Sequence, residues 1–236
     1  MARLRSPFDP ATVGSATSVA VIGLGRFGTA LALELMAHGT EVLGIDSDAD
    51  AVQDLNGRLT AVVAGDATKP ELIEQLGLAD FDRVVVAIGS DVTASILTTS
   101  QLLRVGVKQV WAKAVDERHA LILQQLGVQH VVRPEADMGR RVAHMVRGAL
   151  AEFIEVEPGY AAVLLEAPLD LLGVPLRELG LQVKHGVGIG AVKREGSWIL
   201  STIELRFERG DLLLVHGPTG KVEAFATMAA KSRERA

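Results

Sequence analysis

From Val19 to Arg133 this chain alternates six short, continuously apolar runs, each with small or polar residues at its end, with five amphipathic helical segments. The runs are Val19 to Gly23, Val42 to Asp46, Ala61 to Gly65, Val84 to Gly89, Gln109 to Ala114 and His130 to Arg133. Strands without polar alternation are covered on both faces, and strands joined through helices run parallel with right-handed crossovers. The pattern therefore predicts an α/β chain: a Rossmann-like, doubly wound, parallel six-stranded sheet, with a second, smaller α+β domain after it.

In an open sheet of this kind, ligands sit beyond the carboxyl ends of the strands, so the residues there decide function. The first strand ends in Gly23-Leu-Gly25-Arg-Phe-Gly28 and is followed at once by a helical segment rich in Ala and Leu. That is the strand–turn–helix setting of a dinucleotide fingerprint. Gly23 makes the sharp exit from the strand, Gly25 lets a pyrophosphate approach the backbone, and Gly28 lets the helix pack on the sheet. The helix N-terminus offers unpaired N–H groups and a partial positive charge, and Arg26, beside Phe27, adds a full one. Asp46 follows Gly28 by 18 positions, close to the spacing at which a carboxylate accepts from both ribose hydroxyls and repels a 2′-phosphate. Asp46, next to Ser47, has a second reading as the cap of the following helix, and one residue can do both.

The other strand ends add candidates. Asp66, in Gly65-Asp66-Ala67-Thr68, could accept from an adenine amino group or cap the next helix. Ile88 and Gly89 close the fourth strand with room for a base and ribose, and Lys113 closes the fifth, either solvated or reaching a phosphate. Pro134 and Glu135 suit the first turn of a helix that continues to about Ala151.

Composition narrows the classes. A formal net charge of −5, with no basic cluster interleaved with aromatics, gives no footprint for nucleic acid. No cysteine is present, which removes disulfides, thiolate nucleophiles and Cys-based zinc sites. No apolar run reaches membrane-spanning length, and the first residues lack the apolar centre of a signal peptide. A cytoplasmic protein that reaches the membrane only through a partner is expected. Residues 1–17 read as a disordered tail, 18–151 as the nucleotide-binding domain with its crossover helix, and 152–236 as the second domain, with Glu152 to Tyr160 as the boundary. The second domain shows strands near Ala161–Glu166, Gly186–Lys193, Trp198–Ser201 and Asp211–His216, a turn at Glu195-Gly196 and a closing helix from about Thr219. No Ser/His/Asp or metal-binding spacing appears, and His119 and His130 read as surface residues, so catalytic residues are not expected.

Val21-Ile-Gly-Leu-Gly-Arg-Phe-Gly28, Gly65-Asp-Ala-Thr68, Ala87-Ile-Gly89, Ala112-Lys-Ala114 and Arg133-Pro-Glu-Ala-Asp-Met-Gly139 together resemble the regulator-of-potassium-conductance (RCK) family, the cytosolic regulatory subunits of bacterial Ktr and Trk potassium uptake systems. The resemblance implies dimers that pair through the helix after the sixth strand, octameric rings beneath an integral-membrane potassium-translocating subunit, and ring shapes that change with the bound nucleotide. Ktr types distinguish ATP from ADP, and Trk types also bind NAD or NADH. By position, Arg26 matches an arginine that reaches a γ-phosphate across the dimer, and Glu135 an acid that holds a cation, divalent or monovalent, beside the phosphates. Leu181-Gln-Val-Lys-His-Gly186 and Ser201-Thr-Ile203 depart from the pattern of relatives that respond to cyclic di-AMP, which counts against that ligand. An NAD-dependent oxidoreductase on the same fold would need an acid/base set that the sequence does not show.

Overall fold

All six apolar runs become strands of one parallel sheet in the computed structural model, which describes residues 16–147 and 150–234. They are β1 (Ser18–Ile22), β2 (Glu41–Asp46), β3 (Ala61–Ala64), β4 (Arg83–Val86), β5 (Val110–Lys113) and β6 (His130–Val132), in the order β3-β2-β1-β4-β5-β6. Between them run α1 (Arg26–Ala37), α2 (Ala49–Leu55), α3 (Pro70–Gln75), α4 (Val92–Arg104) and α5 (Glu117–Gln125), and α6 (Pro134–Arg147) follows β6. The two-sided cover explains the unbroken apolar runs. Val19 and Val21 pack with Leu24, Ala32 and Leu55 on one face, whereas Ala20 and Ile22 pack with Ile73, Leu102 and Leu123 on the other. A Rossmann-like doubly wound sheet is thus the fold, with a smaller second unit after it.

His119 and His130 depart from the surface placement expected of them. His119 is 2% exposed, on the same inward side of α5 as Ala120 and Leu123, and burial pushes its pKa below the ordinary histidine value. Its backbone N–H donates to the Asp116 cap, so the polar sequence around it belongs to the helix start rather than to an exposed face. His130 is half-buried and stacks on Trp111 at 4.0 Å between ring centroids; burial, then the charge of Arg83, lowers its pKa.

Of the expected disordered tail, residues 1–15 lie outside the described residues, and Thr17 is tied to the sheet. Asp82 Oδ2 accepts from the Thr17 and Ser18 N–H groups at 2.9 and 3.1 Å and from the Thr17 hydroxyl at 2.9 Å. The Thr17 bonds, then those from Ser18, lower the Asp82 pKa from 3.8 to about 2. A carboxyl depressed in the folded state contributes stability above its unfolded pKa and loses it as pH falls toward the folded one. Amide exchange at Thr17 and Ser18 is therefore expected to accelerate as pH falls between 3.8 and about 2, relative to its intrinsic rate, and Asp82→Ala to show that acceleration already at pH 7.

The second compact unit begins at Ala136, the first ending at Glu135. Its antiparallel sheet runs β10-β9-β11-β8-β7, from β7 (Glu152–Glu157), β8 (Tyr160–Glu166), β9 (Gly188–Arg194), β10 (Ser197–Leu200) and β11 (Leu212–Pro218). Short helices α7 (Leu176–Leu179) and α8 (Leu181–His185) precede β9, and α9 (Thr219–Glu234) packs Val222, Phe225, Ala226 and Ala229 into the core with Val163, Leu165, Leu213 and Val215. Glu195 and Gly196 form the expected turn at φ +48° and +83°. Glu152–Glu157, expected as boundary, is the edge strand β7: of its side chains only Phe153 is buried, so no alternation marks it. The helix expected to reach about Ala151 ends sooner, since the Ala151 N–H already donates to Leu164 in the approach to β7. At the end of the loop before β11, Asp211 lies buried and receives both Nε and Nη2 of Arg194 at 2.8 Å, which holds its carboxyl below the usual range.

Candidate nucleotide site

Strand order reverses between β1 and β4, and the glycine turn sits at that switch point, where an open α/β sheet leaves its crevice. Gly23 has φ +97°, and a Cβ there would stand 2.8 Å from the Ile88 nitrogen just beyond β4. A Cβ on Gly28 would lie 1.8 Å from the Gly23 carbonyl oxygen and 3.2 Å from the Ala87 Cβ. The fold itself therefore demands the first and third glycines. The second differs. Gly25 has φ −67° and ψ −172°, open to any residue, and a Cβ there would meet nothing within 4 Å.

Gly25 is also the N-cap of α1, which has neither a side-chain cap nor an acidic residue in its first turn. Asp48, Asp91 and Asp116 cap α2, α4 and α5. The first intrahelical bond of α1 runs from the Thr29 N–H to the Gly25 carbonyl at 2.9 Å, which leaves the N–H groups of Arg26, Phe27 and Gly28 without helical acceptors. An anion at this end gains both the donors and the helix dipole. Arg26 is exposed beside it.

Asp46, at the end of β2, accepts the Leu24 N–H at 2.6 Å on Oδ2 and the Asp48 N–H at 2.9 Å on Oδ1. It braces the glycine turn; the cap of α2 is Asp48, not Asp46, because the helix starts at Ala49. Ser47 is exposed next to it. Asp66 does not cap α3 either, since that helix begins at Pro70 after Lys69. It folds back on Thr68, accepting from the hydroxyl at 2.6 Å and the N–H at 3.0 Å, and these bonds lower its pKa. Ala67 is buried and Ile88 packs against the core, so of these strand-end residues Asp66 and Thr68 offer side-chain polar atoms, while the Ile88 nitrogen lies at the glycine turn, 2.8 Å from where a Cβ on Gly23 would stand.

Lys113 is brought to the glycine turn, and it is not solvated. Its side chain is 11% exposed, with Nζ 5.7 Å from the centroid of the Phe27 ring and 3.1 Å from where a Cβ on Gly89 would stand. Nζ donates to Glu135 Oε1 at 2.6 Å. That bond first, then the Glu135 backbone N–H and the charges of Lys113 and Arg26, holds the Glu135 carboxyl below the usual range. This pair joins residues 22 apart across two adjacent strand ends, and only the pairing of β5 with β6 reveals it. Among the described residues no three His, Asp or Glu side chains cluster to hold a metal ion, so a cation at Glu135 would need phosphate oxygens to complete its shell.

A TrkA-N domain family model matches residues 19–134, the span that carries this crevice. The chain is 36% identical to Ktr system potassium uptake protein C of Bacillus subtilis (strain 168), over 87% of this chain and 94% of that protein. It belongs to the TrkA-N family. A second TrkA-N relative, Ktr system potassium uptake protein A of Vibrio alginolyticus, is 39% identical over 86% of this chain and 93% of its own length. Among solved structures, the GsuK RCK domain superposes with a TM-score of 0.63 at 18% identity, over 92% of this chain and 48% of that one. The GsuK channel bound to NAD gives 0.64 at 16% identity, over 92% of this chain and 40% of that one. This TrkA-N chain thus spans less than half the length of the GsuK chains, and at such identities the likeness is one of fold. Among its described residues no helix is long and apolar enough to cross a membrane.

Proposed function

We propose that this protein is a non-enzymatic, nucleotide-sensing subunit that regulates a membrane potassium transporter by changing ring conformation as ATP replaces ADP. The observation that carries the reading is the open space over Gly25, at a helix start whose N–H groups have no side-chain acceptor. A pyrophosphate fills that space in chemical terms, with donors from α1, the ribose toward Asp46, and the base toward Asp66, Ala67 and Thr68. The potassium uptake role named for the two Ktr relatives, matched along nearly their whole length, supplies the process. In this reading the chain pairs into dimers and then octameric rings at the cytoplasmic face, beneath an integral-membrane potassium-translocating partner. Arg26 meets the γ-phosphate of a neighbouring subunit, and Glu135 shares a cation with it. A third phosphate adds charge at a subunit seam, and only a ring conformer that brings Arg26 to it gains differential affinity. NAD is the rival ligand, because Asp46 and the α1 terminus serve any adenosine diphosphate group.

Calorimetric titration of the full chain with ATP, ADP and NAD, alongside native mass measurement, tests the proposal. ATP is expected to bind most tightly and to alter the assembly. Arg26→Ala is expected to weaken ATP by about tenfold or more, the worth of one charge-assisted contact, with ADP within about twofold. Equal losses for both nucleotides, tightest binding of NAD, or no binding at all would overturn it.

A further inference from the structure

The Lys113–Glu135 pair is lopsided. Its cation is 11% exposed at the side chain and its anion 64%. A buried ammonium needs a counter-charge, whereas a carboxylate in water needs none, so in any change of partners Lys113 stays and Glu135 leaves. Three further facts place Nζ at the nucleotide crevice. Phe27, whose ring lies 5.7 Å away at the centroid, is in the first turn of α1; Gly89 supplies the space that Nζ fills; and Arg26 adds its charge at Glu135. The spot that the Glu135 carboxylate occupies against Nζ is therefore an anion seat beside the phosphate-binding turn.

We propose that Glu135 is the resident anion of this seat and that the outermost phosphate of a bound nucleoside triphosphate displaces it, taking over Lys113. This rests on the nucleotide-binding reading above and goes beyond it: Lys113 counts phosphates, and Glu135 is the competitor that the third one must evict. A terminal phosphate carries more charge than a carboxylate and more acceptor oxygens, so it wins the exchange when its adenosine end is already anchored. A diphosphate, whose charge is spent at the α1 terminus, leaves the pair intact. Eviction frees the second residue of α6, the helix that leads into the second unit, and turns Glu135 outward as a cation ligand only when a triphosphate is present. One exchange thus links phosphate number to both events.

The test is a double-mutant cycle on the full chain, read as dissociation constants for ATP and ADP by calorimetry in the presence of a chelator, with a bulky organic cation as the only counter-ion. Removing the competitor with Glu135→Gln is expected to tighten ATP by about threefold to tenfold and ADP by less than about twofold. In a Lys113→Gln or Lys113→Met background, that gain is expected to vanish. Simple repulsion between Glu135 and phosphate would instead preserve the gain without Lys113, and that result overturns the proposal. So does a Glu135→Gln protein whose ATP affinity is unchanged, or whose ADP and ATP gains are equal. Should the Lys113 variants melt early, Glu135→Gln, which alters an exposed side chain, still overturns the proposal by itself through either of those last two results. Should the unaltered chain bind neither nucleotide, the nucleotide-sensing reading itself falls; should it bind both while the cycle is additive, only the exchange falls.

Discussion

Gly28→Ala is expected to destabilise the first unit more than any other single methyl group added to the glycine turn. The added methyl carbon would stand 1.8 Å from the Gly23 carbonyl oxygen, 3.0 Å from the Gly23 carbonyl carbon and 3.2 Å from the Ala87 Cβ. Two of those neighbours are backbone of the turn itself, so no rotamer change relieves the contact. Relief requires α1 to move off a sheet whose strand ends are fixed to one another by hydrogen bonds, and a further bond ties the helix to the turn. Gly23 N–H donates to Ile45 at 2.8 Å, Ala87 N–H to Ile22 at 2.7 Å, and the Thr29 hydroxyl to Leu24 at 2.7 Å. Overpacking a core commonly costs 1–3 kcal/mol, and a clash with fixed backbone sits at or above the top of that range, about 3 kcal/mol or more. A fall of roughly ten degrees in the unfolding midpoint of this unit follows from the usual entropy of unfolding. Trp111, stacked on His130 at the β5–β6 pair, reports that transition by fluorescence, and a Trp198→Phe background removes the half-exposed second tryptophan. A midpoint within two degrees or so of the parent would show that the turn yields more easily than its geometry allows.

Much of this was legible in the chain, for a reason that particular residues make plain. Val19 to Ile22 are at most 2% exposed, so covering the sheet on both sides leaves the unbroken apolar text by which a doubly wound sheet is recognised. Gly28 is required by the Gly23 carbonyl five residues before it and Gly23 by its own φ of +97°, and local constraints write themselves into local sequence. β7 did not show, because an edge strand with one buried side chain has no reason to alternate. His119 did not show either: one polar letter in a helix start looks the same whether it faces water or the core. Lys113 and Glu135 are the sharpest case. Their pairing depends on β5 and β6 lying side by side, a fact of topology, so the residues could be nominated singly but not joined. For Asp46 and Asp66 the sequence leaves capping open beside a ligand contact, and the caps fall instead at Asp48 and Lys69 because each helix starts two or three residues later than that role requires.

Gly25→Ser separates what the fold needs from what a ligand needs. Gly25 lies in extended backbone, and its missing side chain touches nothing, so serine enters without strain. It also supplies what α1 lacks. A serine at the N-cap accepts from the N–H two or three residues on, here Phe27 or Gly28, and serine surpasses glycine as a cap by a few tenths of a kcal/mol. The unfolding midpoint is therefore expected to hold or to rise by a degree or so. Nucleotide binding should move the other way. The same N–H groups would bond a phosphate, and the serine oxygen now occupies both the donors and the space in front of them. Hydrogen bonds to charged groups are worth about 1.5–3 kcal/mol each, so losing one or two weakens ATP, ADP and NAD alike by roughly ten- to a hundredfold or more. The uniform loss distinguishes this site from Arg26 and Lys113, whose variants are expected to discriminate among phosphate counts. Titration of all three nucleotides, with a melting curve for each protein, checks both halves. A Gly25→Ser chain that binds as its parent does would mean that the glycine turn is not where the phosphates sit. One that lost binding together with its fold would mean that Gly25, like Gly28, answers to packing.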